Sequence, residues 1–367
     1  MKKRFIISGG GTGGHIFPAL AIADRLKKEI SDAEILFIGA NHKMEMKRMP
    51  EAGYSIVGLD VYGISRDFSP RAVLRNLKLP FVLMKSMQKA KRIIRDFKPD
   101  VVIGVGGFAS GPALKAANLL GIPTLIQEQN SYPGITNKLL ASKVKKICVA
   151  YDGLEKYFPK DKIVKTGNPI RAEILDIKKK NEKAYRFFGF TKEKKTILVV
   201  GGSLGALTIN RCLATGLTQI EKLNVQLIWQ TGEVFYKNIS SELLARQNEN
   251  IKIVPFIKNM DDAYSIADII VSRAGALAIA ELTIVGAPTI LVPFPYAAED
   301  HQTKNAESLS NQGAACLISD MQAEEKLMPQ LIELIVDEEK CKKLSDNIVK
   351  FAQPDAIELI VKEILTL

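Results

Sequence analysis

Three stretches of the chain hold residue types whose spacing suits chemistry on anions and hydroxyls. In RFIISGGGTGGHIFPALAIADRL (residues 4–26) a short apolar run enters a loop with five glycines, Gly9 to Gly14, and then His15. Glycines permit positive φ and bring backbone N–H groups close to an anion, and the dipole of a following helix adds to the attraction. This loop therefore reads as a phosphate cradle. His15 stands at the mouth of the helix, and an imidazole with an ordinary pKa of about 6.5 takes up protons near neutrality. A histidine there serves as a general base, or else it caps the helix or hydrogen-bonds a substrate diphosphate. GGSLGA (residues 201–206) is a second loop of the same kind.

The third stretch is SRAGALAIAEL (residues 272–282). It places Ser272, Arg273 and Gly275 at a strand end, with a helix start suited to a diphosphate. Glu281 lies one to two turns into that helix, and its carboxylate offers two acceptor oxygens to a ribose diol. Nearby, PFPYAAEDHQTKNA gathers Asp300, His301, Gln302 and Asn305 beside a proline-rich turn, where sugar hydroxyls can be read. A dinucleotide fold needs G-x-G-x-x-G, and Gly9, Gly11 and Gly14 have that spacing. The second strand, however, runs into Gly39-Ala40-Asn41 with no acidic residue at its end, which argues against a dehydrogenase.

These residues must be held by strand–loop–helix units. RFIIS, EILFIG, PDVVIGVG and IPTLIQE read as strands, and residues 16–29, 70–97 and 111–120 as helices. KKTILVVGGSLGALTINRCLATGL repeats the opening pattern, and VQLIWQTG, IKIVPF, ADIIVSRAG and APTILVPFP add strands. Alternation of this kind predicts an α/β fold of two doubly wound parallel sheets, each with helices on both faces. The expected domains are 1–167, joined by a C-terminal helix at 353–367, and 168–352. The polar stretch 162–190, with its Gly-Asn-Pro turn, reads as the linker.

Bulk properties narrow the class. The chain has 367 residues, 47% hydrophobic and 25% charged, an ordinary globular composition. The net charge of +11 is lopsided: residues 1–168 hold 28 Lys+Arg against 14 Asp+Glu, so the remainder holds 23 against 26. Residues 66–98 alone carry ten basic and two acidic side chains. Such a field implies an anionic partner. RAVLRNLKLPFVLMKSMQKAKRIIR interleaves Leu, Phe, Val and Met with Lys and Arg, as an amphipathic helix lying on anionic headgroups does; a core helix with a solvated basic face is the alternative. No apolar run reaches membrane-spanning length, and MKKRFIIS breaks at the glycines before any signal-peptide cleavage site. Four scattered cysteines and three histidines argue for a reducing compartment and against a metal centre.

GGGTGGHIFPALAIA, GVGGFASGP, QEQNSYPGITNKLLA, GNPIR, GGSLGALTIN, SRAGALAIAEL and DHQTKNA occur in order across most of the chain. Together they resemble the MurG family of bacterial N-acetylglucosaminyltransferases, which convert lipid I into lipid II in peptidoglycan synthesis. The resemblance implies a GT-B fold, with an acceptor- and membrane-binding N-terminal domain and a UDP-GlcNAc-binding C-terminal domain facing a central cleft. It implies an inverting transferase without a cofactor or metal, peripheral on the cytoplasmic face of the inner membrane. The implied partners are UDP-GlcNAc, lipid I, the anionic membrane surface and cell-wall elongation and division proteins, with no nucleic acid.

Carried over by position, the donor site comprises Thr12, Gly13, Gly14 and Asn130, then Arg171, Ser203 and Ile257, the stretch Ala276, Leu277, Ala278, Ile279, Ala280 and Glu281, and finally Gln302. In that reading Ser203 and its loop meet the phosphates, Ile257 offers backbone groups to uracil, and Arg171 meets the leaving charge. His15 is the expected base and Glu128 the second choice. Two positions depart from the family: Gln127 stands where a histidine is frequent, and Ala278 where a threonine is. A nucleic-acid-binding protein, a transferase with another acceptor, and a UDP-sugar 2-epimerase are the rival readings.

Overall fold

The computed structural model describes residues 2–11, 13–63, 69–202 and 204–367. The chain divides into two compact units, one of Met1–Ile170 with Asp355–Leu367 and one of Arg171–Pro354.

The first unit is built on a seven-stranded sheet of β1 (Arg4–Ser8), β2 (Glu34–Ala40), β3 (Ser55–Leu59), β4 (Val101–Gly104), β5 (Thr124–Glu128), β6 (Lys146–Val149) and β7 (Ile163–Lys165). Their order is β3-β2-β1-β4-β5-β6-β7, and every pairing is parallel. Alternation along β1 shows why: Phe5 and Ile7 join one buried cluster, and Ile6 joins the cluster on the opposite face. A strand whose side chains are apolar on both faces must be covered on both. Helix Gly13–Glu29 covers one face through Ile16, Ala19, Ile22, Ala23 and Leu26. The C-terminal helix Ala356–Leu365 packs beside it, inserting Ile357, Ile360, Val361 and Ile364 into the same cluster. Helices Pro70–Phe97 and Ser110–Leu119 cover the other face.

The second unit repeats the plan. Strands β8 (Lys195–Val200), β9 (Val225–Gln230), β10 (Ile251–Val254), β11 (Ile269–Ser272), β12 (Thr289–Leu291) and β13 (Cys316–Leu317) form a parallel sheet in the order β10-β9-β8-β11-β12-β13. Ile197 and Val199 enter one cluster, Leu198 and Val200 the other. In each sheet the winding reverses beside the first strand, at β1/β4 and at β8/β11. Ligands of open α/β sheets bind at the carboxyl ends of strands on either side of such a reversal.

The doubly wound α/β expectation holds for both units. The linker expectation for 162–190 holds only around the Gly-Asn-Pro turn, where the boundary between the units falls at Ile170/Arg171; the ends of the stretch belong to the two folds. Its first residues form β7, the edge strand of the first sheet. Its last residues form helix Glu182–Phe188 of the second unit, with Tyr185, Phe188 and Phe190 buried in that core. Interleaved lysines hide these apolar anchors in the one-dimensional pattern. Strands β3, β6, β7 and β13 were also not legible. Three of them are sheet edges, partly exposed and short, so their apolar alternation is weak.

Candidate active site

At the β1/β4 reversal two glycine loops pack backbone against backbone. Gly107 has φ +84°, and a Cβ there would lie 2.4 Å from the Gly10 carbonyl oxygen. Gly10 in turn has φ +147°, and a Cβ there would meet the Glu45 carboxylate at 2.2 Å. Both positions therefore require glycine. Glu45 is 0% exposed and accepts the Gly11 N–H at 2.9 Å on Oε2 and the Ala40 N–H at 3.0 Å on Oε1. Nothing in the pattern KMEMKRM marks it as special; only folding brings it beneath the loop.

His15, in the first turn of helix Gly13–Glu29, is half-buried and has Nδ1 2.9 Å from the Gly10 carbonyl oxygen. A carbonyl only accepts, so the neutral ring carries its proton on Nδ1 and its lone pair on Nε2. Nε2 lies over Gly106, where a Cβ would approach it to 2.8 Å. Gly13 is half-buried and Gly14 exposed on the same turn. Thr12 lies outside the described residues.

Glu128 ends β5 and is 1% exposed. Its Oε1 accepts from the backbone and side-chain amides of Asn130 at 3.0 and 3.3 Å, and its Oε2 from the Gly134 N–H at 3.2 Å and Asn137 Nδ2 at 2.7 Å. Burial pushes its carboxyl pKa up, while these donors pull the other way. The carboxylate thus holds the 130–137 turn in place, Asn130 with it. Gln127, the departure from the family pattern, donates from Nε2 to Asn168 Oδ1 at 3.0 Å, and Asn168 Nδ2 donates to the Gln129 carbonyl at 2.9 Å. Here an amide ties the end of β5 to the Gly-Asn-Pro turn.

In the second unit the other predicted residues that are described follow different strands: Ile257 follows β10, Ala276 to Glu281 follow β11 and Gln302 follows β12, with Arg171 held against Glu281. The loop after β8 is anchored by Gln230, the last residue of β9. Gln230 Nε2 donates to the Gly202 carbonyl at 3.0 Å, and its Oε1 accepts the Ile257 N–H at 2.9 Å. The Ile257 N–H is therefore already committed, leaving its carbonyl to address a base. Gln230 was not singled out from sequence, although its place at a strand end is the signal that finds it. Ser203 lies outside the described residues.

Helix Ala276–Val285 starts on Gly275, an extended N-cap with no side chain to occupy the helix start. Leu277, Ala278 and Ala280 are half-buried around it, whereas Ala276 and Ile279 are buried, Ile279 in the core. Contacts from Ile279 to a ligand are thus confined to its backbone. Glu281 accepts Arg171 Nε and Nη2 at 3.0 and 2.8 Å and the Tyr264 hydroxyl at 3.2 Å. Burial raises its carboxyl pKa, and the Arg171 guanidinium lowers it. Arg171 is thus held by Glu281 at the helix rather than standing alone to meet a leaving charge.

Arg273, placed at the strand end by the sequence, has a structural part. It is buried, donates to the carbonyls of Val292 and Pro293 at 3.0 Å each, and pairs with Asp320. It ties β11 to the β12 loop. Asp300 likewise accepts the Thr303 hydroxyl at 2.6 Å, and Asn305 is fully buried; both belong to the architecture of helix His301–Ser310. Gln302 is half-buried, its Oε1 accepting the Phe294 N–H at 2.9 Å. Among the described residues no group of three or more His, Cys, Asp or Glu forms a metal-binding cluster.

Two doubly wound parallel sheets, each with a glycine loop at its winding reversal, define the GT-B class of glycosyltransferase folds. Residues 5–149 match the glycosyltransferase family 28 N-terminal domain and residues 196–360 its C-terminal domain, so the chain belongs to glycosyltransferase family 28. It is 51% identical over 366 residues to a Bacteroides fragilis UDP-N-acetylglucosamine–N-acetylmuramyl-(pentapeptide) pyrophosphoryl-undecaprenol N-acetylglucosamine transferase, covering 99% of this chain and 95% of that protein. The Parabacteroides distasonis protein of the same name is 52% identical over 364 residues, covering 99% and 98%. The crystal structure of Acinetobacter baumannii MurG superposes with a TM-score of 0.81 at 33% identity over the whole of both chains.

Proposed function

We propose that this enzyme moves GlcNAc from UDP-GlcNAc to the C4 hydroxyl of MurNAc in lipid I, forming lipid II for peptidoglycan synthesis. The observation that carries the reading is the near-full-length identity of about half to transferases named for that substrate pair. The second unit is assigned the donor: Glu281 takes the ribose diol, the Ile257 carbonyl the uracil N3–H, and Gln302 the sugar. The diphosphate lies at the start of helix Ala276–Val285 and on the Gly201–Ala206 loop, Ser203 included. Thr12, Gly13, Gly14 and Asn130 of the first unit complete the GlcNAc and acceptor side.

Inversion follows from one displacement. The acceptor oxygen forms a bond to the anomeric carbon as the bond to UDP breaks, and UDP leaves with the electron pair. The acceptor proton passes to His15 Nε2, whose lone pair the Gly10 carbonyl secures. Glu128 is the weaker candidate for base, since both of its oxygens already accept donors and water scarcely reaches it. The leaving charge meets helix and loop N–H groups, so no metal is required.

The acceptor's lipid chain requires a membrane contact, and we assign it to the basic first unit, on the cytoplasmic face of the inner membrane. Helix Pro70–Phe97 exposes Leu74, Leu77, Phe81 and Met84 at helical spacing, with Leu77 71% and Phe81 69% exposed, and Lys78 and Lys85 beside them. An apolar stripe edged by cations matches an interfacial helix. Among the described residues no helix is long and apolar enough to cross a membrane. The test is UDP release from UDP-GlcNAc with and without a lipid I analogue. Release that depends on the analogue is expected; turnover of UDP-GlcNAc to an epimer without it overturns the assignment.

A further inference from the structure

We infer that Glu45 is a positioning residue for catalysis, acting on His15 through the peptide bond between Gly10 and Gly11; the inference rests on His15 being the base. The Gly10 carbonyl and the Gly11 N–H belong to one peptide unit. The carbonyl accepts from His15 Nδ1 at 2.9 Å, and the N–H donates to Glu45 Oε2 at 2.9 Å. In a trans peptide these two groups point in opposite directions. Carboxylate and imidazole therefore sit on opposite sides of one amide, coupled end to end.

The coupling has a physical basis. A negative charge on the N–H side favours the amide resonance form with more charge on oxygen, so the carbonyl becomes a stronger acceptor for Nδ1–H. That secures the tautomer with its lone pair on Nε2 and stabilises the imidazolium that forms when the acceptor proton arrives. In Ser-His-Asp enzymes a carboxylate does this by direct contact. No proton crosses the amide: the transferred proton stays on Nε2, and Glu45 keeps both of its N–H donors throughout.

Three features show a built arrangement rather than a chance contact. Glu45 is fully buried, and its second oxygen is fixed by the Ala40 N–H. Gly10 has no Cβ to separate the carboxylate from the loop, and Gly107 packs on the Gly10 carbonyl from the other side, so the peptide plane cannot turn freely.

Glu45→Gln keeps the shape and the contact to Ala40, but it removes the charge and sets an amide against the Gly11 N–H. The expected result is a kcat roughly 10- to 100-fold lower, the worth of a hydrogen bond to a charged group, with KM for UDP-GlcNAc within about twofold. His15→Ala lowers kcat by roughly 10²–10⁴ if it transfers the proton. In that background Glu45→Gln should cost nothing further. Long-range ¹H–¹⁵N spectra of the full chain supply a readout that needs no activity. The chain has only three histidines, so comparison with His15→Ala assigns the His15 signal. Wild type should show the Nδ1–H tautomer and Glu45→Gln a mixture. Should that variant fail to fold, Glu45→Asp, which withdraws the charge by one methylene, is measured the same way, with a partial kcat loss and a partial tautomer shift expected. An unchanged tautomer, or an equal kcat loss with and without His15, overturns the role of Glu45 alone. An undiminished kcat in His15→Ala removes the base assignment itself.

Discussion

Glu128 is buried and Glu281 half-buried, and their surroundings give the two carboxylates different work. Glu281 faces a guanidinium and a hydroxyl that a ribose diol can replace or join. Glu128 faces four amide donors that belong to its own turn. Burial raises the folded-state pKa of Glu128 above the ordinary carboxylate value of 4.5. The folded state then holds the proton more tightly than the unfolded chain, so this group contributes stability that is fully present below about pH 4.5 and is lost as pH rises through the raised folded value. Thermal melts from pH 4 to neutrality, compared between wild type and Glu128→Gln, should show the extra fall in the wild type only. Parallel curves would mean that the turn's donors offset the burial completely. Among single residues, type and spacing single out His15, Glu281 and the glycine loops. They do not single out Glu45 and Gln230, because their partners are backbone groups distant in sequence that only the fold delivers.

Helices show the same split between pattern and packing. The apolar face of Ala356–Leu365 is plain in AIELIVKEIL, but its partner, helix Gly13–Glu29, lies more than 300 residues away in the chain. Ile360 is completely buried there, so Ile360→Ala should destabilise the first unit by about 2–5 kcal/mol, as large-to-small core changes do. Urea unfolding checks this; a change under about 0.5 kcal/mol, the range of neutral surface substitutions, would contradict the packing. Helix Pro70–Phe97 poses the opposite case, since among the described residues Leu74, Leu77, Phe81 and Met84 on its apolar face are exposed. Leu77→Asp with Phe81→Asp should abolish binding to anionic vesicles and lower activity on lipid-linked acceptor. The rate on a water-soluble acceptor analogue should stay within about twofold of wild type, for neither side chain belongs to the loops around His15. Equal losses on both acceptors would show that the stripe serves folding instead. Binding that does not weaken with salt would remove the electrostatic part of the account.

For the molecule as a whole, charge and topology divide the labour. Residues 1–168, at +14, lie within the first unit, whose C-terminal segment 355–367 holds one basic and three acidic side chains; the first unit therefore carries +12 and the second is close to neutral at −1. A cationic unit suits an anionic lipid surface, and a near-neutral one suits a nucleotide held by directed hydrogen bonds. A diphosphate met by helix and loop N–H groups needs no divalent ion, so the full rate should persist in EDTA; loss of rate that magnesium restores would overturn this.

The amino-acid sequence by itself determined the α/β class, the repetition of the plan, the glycine loops and the basic flank. Each of these is written in local periodicity or composition, and neighbours in the chain suffice to express it. Tertiary structure alone decided that the two ends of 162–190 are an edge strand and a packed helix, which of its two readings Arg273 follows, and that Glu45 reaches His15 through a peptide. Those outcomes depend on which backbone groups meet across the winding reversal of a sheet, and strand order, unlike periodicity, leaves no mark on adjacent residues.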